Sequence, residues 1–120
     1  MKKRKVLFVD DEEVNLMVAE ATLSKYFDIY TANSGEEGLQ MIRSNEDLNC
    51  IVSDVKMPEM DGLSFIQTAL KERPDLCCFL LSGFHETKEI AEAIKRDEIK
   101  RYFQKPMIKD AIVNSIETCC

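Results

Sequence analysis

The chain is predicted to fold as an α/β domain: a five-stranded parallel sheet, doubly wound, with helices on both faces. Three observations carry that expectation. Short apolar runs recur five times, at Val6–Val9, Phe27–Ala32, Cys50–Ser53, Cys77–Leu81 and Arg101–Gln104. Segments of helical period fill the gaps between them. No internal repeat, low-complexity tract or linker breaks the alternation, so residues 1–120 are expected to form a single domain.

The elements follow in order. The basic lead Met1-Lys2-Lys3-Arg4-Lys5 precedes Val6–Val9, and Asp10-Asp11-Glu12-Glu13 ends that run. A secretory apolar region needs about 7–15 residues, so the lead reads as a solvated entry to a first strand. Val14, Met17, Val18 and Ala21 are spaced i, i+3, i+4, i+7 and predict a first helix with that stripe on the core. Phe27–Ala32 is mixed, as an edge strand would be. Ser34-Gly35-Glu36-Glu37 reads as a helix start with acids in its first turn, followed by the stripe Gly38, Leu39, Ile42. Cys50–Ser53 is nearly all apolar, like a central parallel strand. Asp61-Gly62 opens a third helix with Leu63, Ile66 and Leu70 inward, and Pro74 ends it. Cys77–Leu81 is a second central strand. The charged segment Glu86–Lys100 carries Ile90, Ala93 and Ile94 on one side. Arg101–Gln104 is a mixed edge strand, and Ile108, Ala111, Ile112, Ser115 and Ile116 form the last stripe.

Composition narrows the function. The chain is 45% hydrophobic and 32% charged, with a formal charge of −6. That balance supports a real core and disfavours nonspecific binding to nucleic acid or anionic lipid. It suits a protein partner or a cation. No apolar stretch reaches the roughly 18 residues of a membrane span, and a cytoplasmic location is expected. The five cysteines, Cys50, Cys77, Cys78, Cys119 and Cys120, show no CxxC spacing, and the one histidine, His85, is remote from them in sequence. A zinc cluster is therefore not expected, and the odd count fits reduced thiols. His85 reads as a surface residue.

Parallel doubly wound sheets bind ligands beyond the carboxyl ends of their strands. Asp10 and Asp11 follow the first strand, Asp54 the third, Ser82 the fourth, and Lys105-Pro106 the fifth. Three crowded carboxylates repel unless compensated. A hard divalent cation with oxygen ligands removes that cost, and Mg²⁺ is the usual choice beside a phosphate. Lys105 adds a compact positive charge, Ser82 a hydroxyl, and Asp54 a nucleophile of the kind that forms acyl phosphates. Together these groups describe a site for a transferring phosphoryl group.

With Asp10-Asp11, the string Asp54–Gly62 containing Met57-Pro58 and Met60-Asp61-Gly62, Ser82 and Lys105-Pro106 all in order, the chain resembles a receiver domain of a bacterial two-component response regulator. The resemblance spans essentially all of it. It implies a flavodoxin-like fold with strand order 2-1-3-4-5, an order that spacing alone does not supply. It implies Asp54 as phosphoacceptor, Asp11 as a direct Mg²⁺ ligand, Asp10 acting mainly through water, and the Lys56 carbonyl completing the protein's share of the shell. Lys105 would bridge to the phosphoryl oxygens, Ser82 would bond the phosphoryl group, and Tyr102 would be the aromatic switch. The Lys105–Pro106 bond is expected to be cis. The implied partners are a histidine kinase or phosphotransfer protein upstream. Downstream, a partner protein, a detached effector domain or a phosphorylation-dependent homodimer would read the face of the fourth helix, fifth strand and fifth helix. Neither nucleic acid nor membrane would bind directly, and no effector domain is expected within these residues.

Departures from the family pattern are visible. Ser82 stands where threonine is common, and Gly83 where a larger residue is common. Phe84 is placed to shield an acyl phosphate from water, which predicts slow dephosphorylation. Two rival readings exist. One is a phosphorylation-independent pseudo-receiver that acts as a binding module, against which the intact acids and lysine argue. The other is a small-molecule enzyme, but the sequence has no Gly-rich phosphate loop. A switch that catalyses only its own phosphorylation and dephosphorylation is the expectation.

Overall fold

A computed structural model describes residues 3–83, 87–106 and 108–119. Phe84, His85, Cys120 and the side chain of Cys119 lie outside the described residues, and so do the expectations attached to them. The elements alternate throughout: β1 Lys5–Val9, α1 Glu13–Leu23, β2 Asp28–Ala32, α2 Gly35–Ser44, β3 Cys50–Asp54, α3 Gly62–Glu72, β4 Cys77–Ser82, α4 Lys88–Lys95, β5 Arg101–Gln104 and α5 Lys109–Cys119. Every strand pairing is parallel, and the order is β2-β1-β3-β4-β5. Both match the expected architecture.

Strand alternation builds two cores. Leu7, Val9, Ile51, Cys78 and Leu80 face α2, α3 and α4, where Leu39, Ile42, Phe65, Ile66 and Ala93 meet them. Val6, Phe8, Cys50, Val52 and Phe79 face α1 and α5, against Leu16, Leu23, Ile112 and Ile116. β1, β3 and β4 are apolar on both sides because both sides are covered. Cys50, Cys77 and Cys78 form no disulfide among the described residues. Among those residues, no helix is long and apolar enough to cross a membrane.

Helix starts follow their turn chemistry. Ser34 accepts the Glu37 N–H at 3.1 Å, and the Glu37 carboxylate reaches back to the Asn33 N–H at 2.8 Å. Asp61 caps α3 by accepting the Ser64 N–H at 2.8 Å. α4 is shorter than its charge pattern predicts. It ends at Lys95, Asp97 adopts a left-handed φ of 62°, and the Glu98 N–H bonds the Ala93 carbonyl at 3.0 Å. That stop delivers Ile99 into the core.

The stripe expected to bury α1 faces outward. Val14, Met17 and Val18 are 67%, 64% and 52% exposed, while Leu16, Ala19 and Leu23 are buried. The helix carries two apolar stripes of the same period, so period alone cannot choose between them. The buried face carries the larger Leu16 and Leu23, and Asn15 on the same side has its side chain bonded to Asp10. Ile108 is also exposed, at 65%. It precedes α5, and its carbonyl accepts the Ile112 N–H at 3.2 Å.

Candidate phosphoryl-transfer site

The carboxyl edge of the sheet gathers the predicted residues. Asp10 extends the β1 ladder by one bond, its N–H donating to the Ala32 carbonyl at 3.1 Å. It is buried, and its carboxylate accepts the Glu12 N–H at 2.9 Å and the Asn15 amide at 3.1 Å. Asp10 thereby fixes the start of α1, because the cap residue Glu12 makes no side-chain cap bond. Asp11 is exposed beside it.

Asp54 is the last residue of β3, and its Oδ1 accepts the Val55 N–H at 3.0 Å. α3 holds this end in place through Gly62. The Gly62 N–H donates to the Val55 carbonyl at 2.8 Å. A Cβ on Gly62 would stand 2.0 Å from the Asp54 carbonyl oxygen, so no other residue fits. The helix can pack this tightly on the Asp54 backbone only because the side chain is missing.

Lys105 arrives from β5. Its N–H donates to the Ser82 carbonyl at 2.7 Å, and the Lys105–Pro106 bond is cis, as expected. The lysine Nζ lies 3.3 Å from Asp54 Oδ1 and 3.6 Å from Asp10 Oδ2. Ser82, buried at the end of β4, pairs in register with Gln104. Tyr102 packs half-buried against the core, and its hydroxyl is enclosed without a hydrogen-bond partner among the described residues.

The electrostatics follow from this crowding. Burial, and then the Asp10 charge, push the Asp54 carboxyl above its ordinary range; Lys105 pulls the other way and does not cancel them. Burial works against the Lys105 ammonium, but Asp54 and Asp10 outweigh it and hold the lysine above its ordinary value. Oxygens of Asp10, Asp11 and Asp54 lie within 4.8 Å of one another. One lysine does not neutralise three carboxylates, and this surplus of hard oxygen donors fits a divalent cation. Asp11 and Lys56 share the walls of an open crevice with Met57, Pro58 and Asp61. A second, narrower crevice lies between α1 and Lys105-Pro106 and reaches Asp54.

The chemistry available is nucleophilic attack by a largely buried carboxylate beside a cation, the requirements of phosphoryl transfer. Asp10, Asp11, Asp54, Lys56, Ser82 and Lys105 stand at this edge, Tyr102 sits behind it, and Phe84 lies outside the described residues. Asn15 and the Gly62 contact were not anticipated. Asn15 was legible in principle as a polar residue one turn into an apolar helix. Nothing local to Gly62 reveals a contact eight residues back in the chain.

Residues 6–117 match the family described as the response regulator receiver domain. The transcriptional regulatory protein GlrR of Escherichia coli is 30% identical over 117 residues, covering 97% of this chain and 26% of GlrR. A crystal structure of a response regulator receiver domain protein from Clostridium thermocellum superposes with a TM-score of 0.87 at 25% identity, covering 96% of this chain and 92% of that one. The signal receiver domain of an HD domain-containing protein from Pseudomonas fluorescens Pf-5 gives 0.89 at 27% identity, covering 98% and 94%. The chain spans about a quarter of the length of the curated relatives it matches.

Proposed function

The chain belongs to the response regulator receiver domain family, and from that premise we propose that Asp54 accepts a phosphoryl group from a partner histidine kinase or phosphotransfer protein. The observation that carries this reading is the Lys105 ammonium, held 3.3 Å from Asp54 and 3.6 Å from Asp10. An Asp54 oxygen attacks phosphorus as the bond from phosphorus to the donor histidine nitrogen breaks, its electron pair leaving with the imidazole, while Lys105 meets the charge on the phosphoryl oxygens. A Mg²⁺ ion held by Asp10, Asp11, Asp54 and the Lys56 carbonyl would supply the remaining charge neutralisation and orientation.

Phosphorylation puts a charge near −2 at Asp54. Ser82 and the segment after it then draw toward the new oxygens. Tyr102, whose enclosed hydroxyl has no partner among the described residues, follows. The face of α4, β5 and α5 is the readout, taken up by a downstream protein, an effector domain or a second copy. The chain turns over no free substrate beyond its own phosphorylation and dephosphorylation.

Incubation with acetyl phosphate and Mg²⁺, followed by intact mass, tests this. One added phosphoryl group is expected, absent in Asp54→Asn and lost on chelation. An unmodified wild-type chain that still binds a partner would identify a phosphorylation-independent binding module.

A further inference from the structure

Asn15 carries no group that phosphoryl transfer itself needs, yet its amide Nδ2 donates to Asp10 Oδ2 at 3.1 Å. Phe8, Leu16, Ala19 and Val52 line the same crevice. An apolar side chain would suit those neighbours, and the amide answers to Asp10 instead. Asp10 is 6% exposed. Its Oδ1 accepts the Glu12 N–H at 2.9 Å, and its Oδ2 accepts the Asn15 amide. Lys105 Nζ stands 3.6 Å from that same Oδ2, but it lies 3.3 Å from Asp54 and is shared between the two acids. The two close donors, one on each oxygen, set the plane of the carboxylate. Both are neutral, so they orient Asp10 without cancelling the charge that draws a cation. Partners of this kind behind a metal ligand typically govern metal affinity.

We infer that Asn15 is a positioning residue for the divalent cation, acting through Asp10: its amide holds the carboxylate in the orientation in which it takes part in binding Mg²⁺. The inference rests on Asp10, Asp11 and Asp54 holding that ion. It also gives Asn15 a part in the phosphorylation step. When Lys105 turns to the phosphoryl oxygens its charge is drawn from Asp10, and the Asn15 amide still holds Oδ2.

The test titrates the full chain with Mg²⁺ at fixed pH and ionic strength and follows backbone amide shifts by NMR. Asn15→Leu keeps the size of the side chain and removes the donor. Loss of such a partner typically weakens metal binding about 10–100-fold. Asp10 keeps the Glu12 N–H, so the lower end, about tenfold, is expected. The Mg²⁺ concentration for half-maximal phosphorylation by acetyl phosphate should rise by the same factor, and the rate at saturating Mg²⁺ should largely recover. Denaturation in chelator reads stability separately. A stability loss in Asn15→Leu with unchanged Mg²⁺ affinity of the folded chain would show a merely structural role and overturn the inference. Unchanged affinity with unchanged stability overturns it as well. Should Asn15→Leu not fold, Asn15→Ala makes the same measurement. If the wild type itself takes up no Mg²⁺, the cation reading fails first, and that outcome is distinct.

Discussion

Helices α1 and α3 both begin at the site edge, yet they are held there by different means. α3 separates its duties. Asp61 caps the helix, Gly62 packs on the Asp54 backbone, and Asp54 remains available for chemistry. α1 has no cap of its own, and Asp10 does both jobs, accepting the Glu12 N–H and the Asn15 amide while facing Lys105. Structural and functional roles are therefore divisible at α3 and fused at α1. The same contrast appears in packing. α3 turns its predicted residue Ile66 into the core, whereas α1 turns its predicted stripe outward.

The largest effect should come from the tightest contact. Gly62→Ala must displace the Asp54 carbonyl or the start of α3, at a cost of about 3 kcal/mol or more. Chemical denaturation would read the loss, and the acetyl phosphate reaction should slow with it. Unchanged stability would mean that α3 does not clamp the Asp54 backbone.

The two stripes of α1 separate next. Leu23→Ala, at a fully buried site, should destabilise by about 3 kcal/mol. Met17→Ala, on the exposed stripe, should stay within about 0.5 kcal/mol of wild type. A larger loss in Met17→Ala than in Leu23→Ala would show that α1 packs in the other phase.

The smallest effect isolates the fused end. Asp54 keeps its proton to a higher pH in the folded chain than in the unfolded one. The stability this group contributes is therefore present at low pH and lost as pH rises through its folded pKa, leaving the carboxylate a net cost at neutral pH. Asp54→Asn, measured in chelator by thermal denaturation, should gain about 1 kcal/mol at neutral pH. That is a rise in Tm of about 4 °C. The gain should fade as pH drops below the folded pKa. A gain independent of pH would place its cause elsewhere than in the buried charge.

Much of this was legible in the residues alone. Five strands, five helices and most boundaries follow from apolar period and turn residues, and these are local signals. The site follows almost as directly. Parallel strands all end at one edge, so Asp10, Asp11, Asp54, Ser82 and Lys105 had to converge once the alternation was recognised. Strand order came from the resemblance rather than from any spacing.

Three features were decided only in the tertiary structure. α1 offers two apolar stripes, and the one with Leu16, Ala19 and Leu23 is buried, with Asn15 of that face bonded to Asp10. α4 stopped at Lys95 because Ile99 is needed in the core, overriding a charge pattern that runs on to Lys100. Gly62 meets the Asp54 carbonyl across a loop, a contact that no local pattern announces. The sequence determined which groups could act and at which edge they would meet, because period and strand polarity are local properties. The choice among equivalent faces, and the contacts that hold Asp54 in place, belong to long-range packing, where competing local preferences are settled by what fits.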